Sequence, residues 1–298
     1  MPSKKEITWK GLLNLFVVYI VWGSTYLAIR VAVRNGSGFP PFAMGWTRVF
    51  IAGIILLAWA RLAKSRVRLS RQEFITLLIS GLLLWAGGNG LVNWSEQRTD
   101  SGLTALMIAA TPIWVAIIEA ILDRRLPSWR MVASLGIGFS GIAVLSWPVI
   151  SQGIRADVLA IVGLLFAGFS WGLGTILQGR RPVGVKGSAS SGYQQLFGSL
   201  GFIVLFFVSG EPIPHPTPEA WWAVAYLIGI GSLLGFTSYV RAIQLLPTSI
   251  VMTYGYVNPV IAVFLGWLIL GEAITPWTLA GALLVLLGVA GVFNERRS

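Results

Sequence analysis

The chain has no cysteine, one histidine and few charges, with only 11% of its 298 residues ionisable as Asp, Glu, Lys or Arg. Without thiols there are no disulfides, no thiol nucleophile and no cysteine metal site. His215 lies in a polar, proline-rich connection, Glu211 to Glu219, and no group of His or carboxylates has metal-ligand spacing. No metal or cofactor is therefore expected. A Walker-type phosphate loop is missing, which excludes a primary pump. The SxxK nucleophile pattern is missing too. Acidic residues are scarce, 11 against 22 basic ones, for a formal charge of +11. In a soluble protein that balance would suggest nucleic acid. Here the basic residues sit in short stretches between apolar runs, so membrane orientation explains them and no nucleic-acid partner is expected.

What the chain does have is apolar surface: 55% of its residues are hydrophobic. One soluble core of this length cannot hide that much. The pattern predicts membrane spans near 12–33, 41–60, 74–92, 102–122 and 131–147. A second set follows near 158–177, 190–209, 221–242, 249–270 and 277–293. Runs of about 20 apolar residues cross a hydrocarbon core of roughly 30 Å as helices. They are too long and too continuously apolar for barrel strands. The expected fold is an all-α membrane protein of ten transmembrane helices. The first span is too long for a typical signal h-region and is read as retained. With the N-terminus inside, seventeen of the 22 Lys and Arg fall in inside segments and four in outside ones, Arg48 lying within a span. That bias predicts a multi-pass protein of the bacterial inner membrane with both termini cytoplasmic.

The two sets of spans carry a recurring signature. Trp22-Gly23 returns 149 residues later as Trp171-Gly172. Gly88, Gln97, Ser101, Pro112 and Gly141 return 147 residues later as Gly235, Gln244, Thr248, Pro259 and Gly288. Five spans per set invert the second copy, giving repeats over 1–150 and 151–298. Inverted repeats are typical of secondary transporters, whose substrate site lies between the halves near the bilayer midplane.

The stretch VWGSTYLAIRVAVRNGSGFPPFAMGWTRVFIAG resembles the start of EamA-type proteins of the drug/metabolite transporter superfamily. The resemblance rests on Trp22-Gly23, Pro40-Pro41-Phe42 and Arg48, then on Pro259, Gly271, Glu272 and Gly281 in the second half. It covers essentially the whole chain. It implies ten helices in two inverted five-helix repeats. It also implies a cavity lined mostly by spans 1, 3, 4, 6, 8 and 9, and a role in exporting amino acids or other small metabolites. Arg124-Arg125 stand where the second half has Gly271-Glu272, so that motif is not duplicated.

Within the spans, several residues are candidates for contact with a substrate. Trp22, Trp85, Trp114 and Trp171 lie away from the interfacial belts where Trp is commonest. They either line a cavity or fill space between helices. Asn89 and Asn93 share a helical face, as do Tyr254 and Asn258. These pairs offer polar groups to a substrate or to a neighbouring helix. Pro112 and Pro259, near the middle of spans 4 and 9, are matched candidates for hinges or for static kinks. Arg48 and Glu119 are intramembrane charges. For Arg48 a structural pair with Glu96 or Asp100 is preferred to a substrate carboxylate. For Glu119 the expectation is snorkelling toward Arg124 or Arg125.

Two function classes fit a chain without soluble domains. The leading one is a secondary transporter exporting amino acids, particularly apolar or aromatic ones, or related metabolites. The alternative is a membrane enzyme acting on a lipid-linked substrate, which needs a nucleophile, metal ligands or paired acids. Topology is directly testable with single cysteines placed in each connection. His215→Cys should react with a membrane-impermeant thiol reagent applied from outside, and cysteines near Arg66 or Arg181 only from inside. Labelling of residue 215 from the cytoplasmic side alone would reverse the orientation.

Overall fold

In the computed structural model, residues 6–34, 36–95, 97–98, 104, 107–151, 158–270 and 274–297 are described. Glu96, Asp100, Ser101, Gly271 and Glu272 lie outside the described residues. Among those described there are helices and no strands. The helices are α1 (Trp9–Val33), α2 (Pro41–Leu62), α3 (Arg71–Ser95), α4 (Thr111–Asp123) and α5 (Trp129–Leu145). In the second half come α6 (Val158–Arg180), α7 (Gly187–Ser209), α8 (Pro218–Leu245), α9 (Thr248–Met252 continuing as Tyr254–Leu270) and α10 (Pro276–Arg297). Seven of these, α2, α3 and α6 to α10, are long and apolar enough to cross a membrane. Trp129–Leu145 is a shorter apolar helix.

Polar residues set where the helices begin. Ser70 accepts from the Glu73 N–H while Glu73 reaches back to the Ser70 N–H, a capping box that starts α3. Ser128 and Thr217 cap α5 and α8 by the hydroxyl alone, accepting from the Met131 and Ala220 N–H groups. α2 opens at Pro41, and the Glu211 carboxylate accepts from the free N–H groups of Phe42 and Ala43 at 3.0–3.1 Å. Between those ends the helices expose large apolar side chains such as Phe16, Ile54, Trp59, Phe166 and Phe207. In a membrane these face lipid at no cost.

Lipid tails are as apolar as leucine, so the bundle is held by close packing rather than by escape from water. Glycine provides it. A Cβ on Gly288 of α10 would sit 2.5 Å from the Gly138 nitrogen of α5, and one on Gly141 would sit 2.6 Å from the Val285 nitrogen. α2 and α7 approach similarly, Gly53 facing the Gly192 carbonyl at 3.0 Å and Gly192 facing that of Gly53 at 3.2 Å.

The connections gather at two ends. At one, the α7–α8 connection lies along the α1–α2 connection, with His215 N–H donating to the Gly38 carbonyl at 2.8 Å and Thr217 N–H to that of Ser37 at 2.9 Å. Gly38 has φ +71°, and a Cβ there would lie 2.0 Å from the His215 oxygen, so only glycine fits. At the other end Arg66 pairs with Glu73, which also accepts from Gly184 N–H at 2.8 Å. There too Arg180 holds Asp123 by two 2.7 Å bonds. The segments assigned to one side by their basic residues thus meet one another.

The glycine contacts predict a graded stability series. Gly141→Leu and Gly288→Leu should each destabilise the detergent-solubilised protein by at least about 1–3 kcal/mol, the usual penalty of overpacking. Gly136→Ala, on the same helix with nothing within 4 Å, should be neutral or slightly stabilising. Melting temperatures read by size-exclusion after heating would check the order.

Candidate functional site

Six aromatic rings from five helices meet in the interior. Trp22 of α1 lies edge-to-face on Trp171 of α6, ring centroids 5.6 Å apart, and on Tyr254 of α9 at 5.0 Å. Tyr239 of α8 packs on Trp22 at 4.9 Å, on Trp171 at 5.6 Å and on Tyr254 at 5.6 Å. Trp85 of α3 closes the group against Trp171 at 6.4 Å and Phe236 of α8 at 4.8 Å. Such edge-to-face pairs each contribute about 0.5–1.5 kcal/mol beyond their buried area. The rings touch one another, so a solute entering this place must part them.

Local sequence explains how the two indoles reach the centre. A Cβ on Gly235 would lie 2.7 Å from Trp22 Nε1, and one on Gly88 would lie 2.7 Å from the Trp171 ring. Each indole therefore rests on a bare glycine of the opposite half, and the two glycines are 147 residues apart. The glycines after the tryptophans do related work. Gly23 faces Ile261 and the Asn258 carbonyl of α9, and Gly172 faces Val115 of α4. Both receiving glycines lie in π-helical stretches, Leu82–Gly90 and Leu227–Phe236, of the kind often found at functional sites. Carbonyls of these stretches accept from outside: Gly231 from Trp22 Nε1 at 3.2 Å, Leu83 from Ser170 Oγ at 2.8 Å.

Tyr239, at the hub of the cluster, was not singled out from sequence. Its hydroxyl accepts from Trp171 Nε1 at 2.9 Å and bonds to Thr175 Oγ1. The available signal was Tyr239 as the intramembrane aromatic three residues after Phe236.

The remaining candidates divide. Trp114 is outside this cluster and packs on Phe169, ring centroids 5.7 Å apart. Asn93 is fully buried and donates to Asn89 at a long 3.4 Å, leaving its own Oδ1 without a partner. The Asn258 amide nitrogen lies 3.2 Å from the Tyr254 carbonyl and 3.3 Å from that of Tyr19, tying α9 to α1. Tyr256 leaves the Tyr254 face and donates to the Leu135 carbonyl of α5 at 3.1 Å. Pro112 does not interrupt a helix, as its mid-span position suggested. It lies in the first turn of α4, just after a turn at Ala109–Ala110, where its missing N–H costs nothing. Pro259 is inside a helix, six residues beyond a turn at Thr253. The two regions touch, since a Cβ on Gly255 would be 3.6 Å from Pro112 Cδ.

Arg48 is 3% exposed. Its Nε donates to Ser232 Oγ at 2.9 Å, its Nη1 has no partner, and its guanidinium carbon lies 5.3 Å from the Trp85 ring centre. No acidic side chain among the described residues bonds to it, and the expected partners Glu96 and Asp100 lie outside the described residues. Burying such an ion costs several kcal/mol, and a desolvated cation–π contact returns about 2. Glu119 borders a cavity of about 160 Å³ with Asp123, Arg125 and Ser249. A larger cavity of about 450 Å³ opens at the other end between Arg34, Trp94, Arg98, Glu211 and His215. Burial there pushes the Glu211 carboxyl above the usual carboxylate range, against the pull of the Phe42 and Ala43 N–H groups. Among the described residues no group of three or more His, Asp or Glu is placed to hold a metal.

The chain matches the EamA-like transporter family twice, over residues 9–147 and 158–294. It is 32% identical over 266 residues to the "Uncharacterized inner membrane transporter YedA" of Escherichia coli (strain K12), covering 88% of this chain and 83% of that one. It is 24% identical over 296 residues to a "Probable terminal-alkyne amino-acid exporter" of Streptantibioticus cattleyicolor, covering 97% and 94% of the two chains. With the "S-adenosylmethionine/S-adenosylhomocysteine transporter" of Chlamydia trachomatis serovar L2 it shares 21% identity over 294 residues, covering 94% and 88%. A solved crystal structure superimposes with a TM-score of 0.78 at 17% identity, covering 96% of this chain and 97% of that one, a likeness of fold. The chain belongs to the EamA-like transporter family.

Proposed function

We propose that the protein is a secondary transporter exporting amino acids, chiefly apolar or aromatic, or related small metabolites across the bacterial inner membrane by alternating access. The observation that carries this reading is the cluster of Trp22, Trp85, Trp171, Phe236, Tyr239 and Tyr254, built from both halves of the chain and closed in this conformation. Aromatic walls suit an apolar side chain and offer indole and phenol groups to a polar one. In this reading the chain forms ten spans in two inverted repeats, 1–150 and 151–298, with both termini cytoplasmic. The reciprocal seating of Trp22 on Gly235 and Trp171 on Gly88 supports the repeat. The relatives' names support the substrate class, because an amino acid and S-adenosylmethionine share an ammonium–carboxylate head. The family and the relatives named above are transporters, which favours this reading over the enzyme alternative.

Alternation requires the rings to part on one side at a time. The breaks at Ala109–Pro112 and Thr253–Pro259 are the proposed bending points, since a few positions at helix ends can absorb a hinge's dihedral change. Substrate then shifts the two states only by its differential affinity for them.

Counterflow in proteoliposomes against labelled amino acids and S-adenosylmethionine should give saturable exchange for at least one apolar amino acid. Leak without saturation would mark a pore, and turnover without exchange an enzyme. Trp171→Ala should lower the melting temperature and, in the protein that still folds, weaken apparent affinity about ten-fold or more, whereas Trp114→Ala, outside the cluster, should leave affinity unchanged. Pro112→Ala and Pro259→Ala should slow exchange more than they weaken equilibrium binding. Spin-label distances across α4 and α9, measured with and without substrate, would check the bend. Unchanged distances and wild-type exchange would leave both prolines as static features.

A further inference from the structure

The least satisfied polar group in the centre is Arg48. A guanidinium has five N–H donors and no acceptor. Here one donor, Nε–H, has a hydrogen bond to Ser232, and Nη1 has no partner at all. The side chain is almost wholly buried, Ser232 is fully buried, and no carboxylate among the described residues bonds to the charge. A charge with idle donors inside a bundle is a costly arrangement that usually marks a functional site. The surroundings leave room for the group rather than neutralise it. A Cβ on Gly231 would lie 3.0 Å from Arg48 Nη2 and 3.1 Å from Thr25 Cγ2, so glycine at 231 lets the guanidinium lie against α8.

The same residues join Arg48 to the aromatic cluster. Gly231 receives the Trp22 indole on its carbonyl. Trp85 presents its ring to the guanidinium, and its own Nε1–H, buried with the ring, also lacks a partner. A planar cation with a vacant nitrogen therefore lies over the ring of an indole whose own donor is vacant, at the border of the cluster. Vacant donors of this kind ask for an anionic acceptor with two oxygens, and the guanidinium fork matches a carboxylate.

We propose that Arg48 is the carboxylate anchor of the substrate site, so that the protein selects solutes bearing a carboxylate beside an apolar side chain. This rests on the transporter reading above and specifies the head group it recognises. The carboxylate takes the idle Arg48 nitrogen and the Trp85 N–H, Ser232 holds the guanidinium through Nε, and the side chain enters among Trp22, Trp171, Tyr239 and Tyr254. Arriving substrate then neutralises the buried charge, which favours the closed, water-excluded state when the site is filled.

The test compares each acid with its own amide. L-phenylalanine, L-leucine and L-methionine, and the carboxamide of each, are titrated into the purified full chain by calorimetry and competed against labelled amino acid in counterflow. Wild type should bind at least one acid ten-fold or more tightly than its amide. Arg48→Gln should erase that ratio by weakening the acid while leaving the amide where it was, which a merely structural role for Arg48 would not do. Should Arg48→Gln fail to fold, Ser232→Ala carries the same expectation in weaker form: a several-fold loss for the acid and none for the amide. Equal binding of acid and amide by wild type, or a ratio unchanged in both variants, overturns the anchor while the transporter reading stands. No binding or exchange of any of the six compounds overturns the amino-acid reading and the anchor with it.

Discussion

Each half of this chain places an indole on a bare glycine of the other, and the closed centre depends on that exchange. Trp22 on Gly235 and Trp171 on Gly88 bring the rings within contact of each other. A methyl group at either glycine would collide with an indole before the rings could meet. Once they meet, Tyr239 and Tyr254 have surfaces to pack on, and α8 and α9 are drawn to α1. The contact is short-ranged and geometric, as association within lipid must be when burial of apolar surface offers little.

Around that centre the bundle has two kinds of interior. Between α5 and α10 it is backbone against backbone, with glycine at each crossing. Between α3, α6 and α7 it is polar, with Gln194 bonded to Ser80 at 2.7 Å and to Gln178 at 3.1 Å. The first kind suits a fixed support. The second supplies hydrogen-bonding groups that can exchange partners, several of whose atoms have none in this conformation. Arg48 lies among the helices that surround the rings, so the charge and the aromatic surface form one environment rather than two.

Much of the architecture was legible from hydropathy alone, because a helix in lipid must be long, apolar and internally bonded. Most of the expected spans fall within two or three residues of the observed helices, as at α2 and α7. The matched Trp-Gly pairs singled out Trp22 and Trp171, whose ring centroids lie 5.6 Å apart. What could not be read was azimuth. Depth along a span follows from counting residues, and it placed Trp114 and Trp85 alike. Only packing decides that Trp85 faces the rings and Trp114 faces Phe169. The π-helical stretches add to the difficulty, since they rotate later residues away from the positions an α-helical count assigns. Tyr239 follows such a stretch. Pro112 was misplaced for a related reason: continuous hydropathy across 102–122 conceals the turn at Ala109–Ala110.

The two tryptophans look equivalent in the sequence but are fastened differently. Trp22 donates its N–H to a backbone carbonyl, Gly231, whereas Trp171 donates to the hydroxyl of Tyr239, which also leans on Thr175. A backbone acceptor moves only when its helix moves. A hydroxyl turns with its own side chain. The centre is thus stiff on one flank and pliant on the other, and in the proposed transporter reading differences in solute bulk fall on Trp171, Tyr239 and Thr175 while Trp22 keeps its place. Tolerance of side-chain size is in this sense a property of one flank alone.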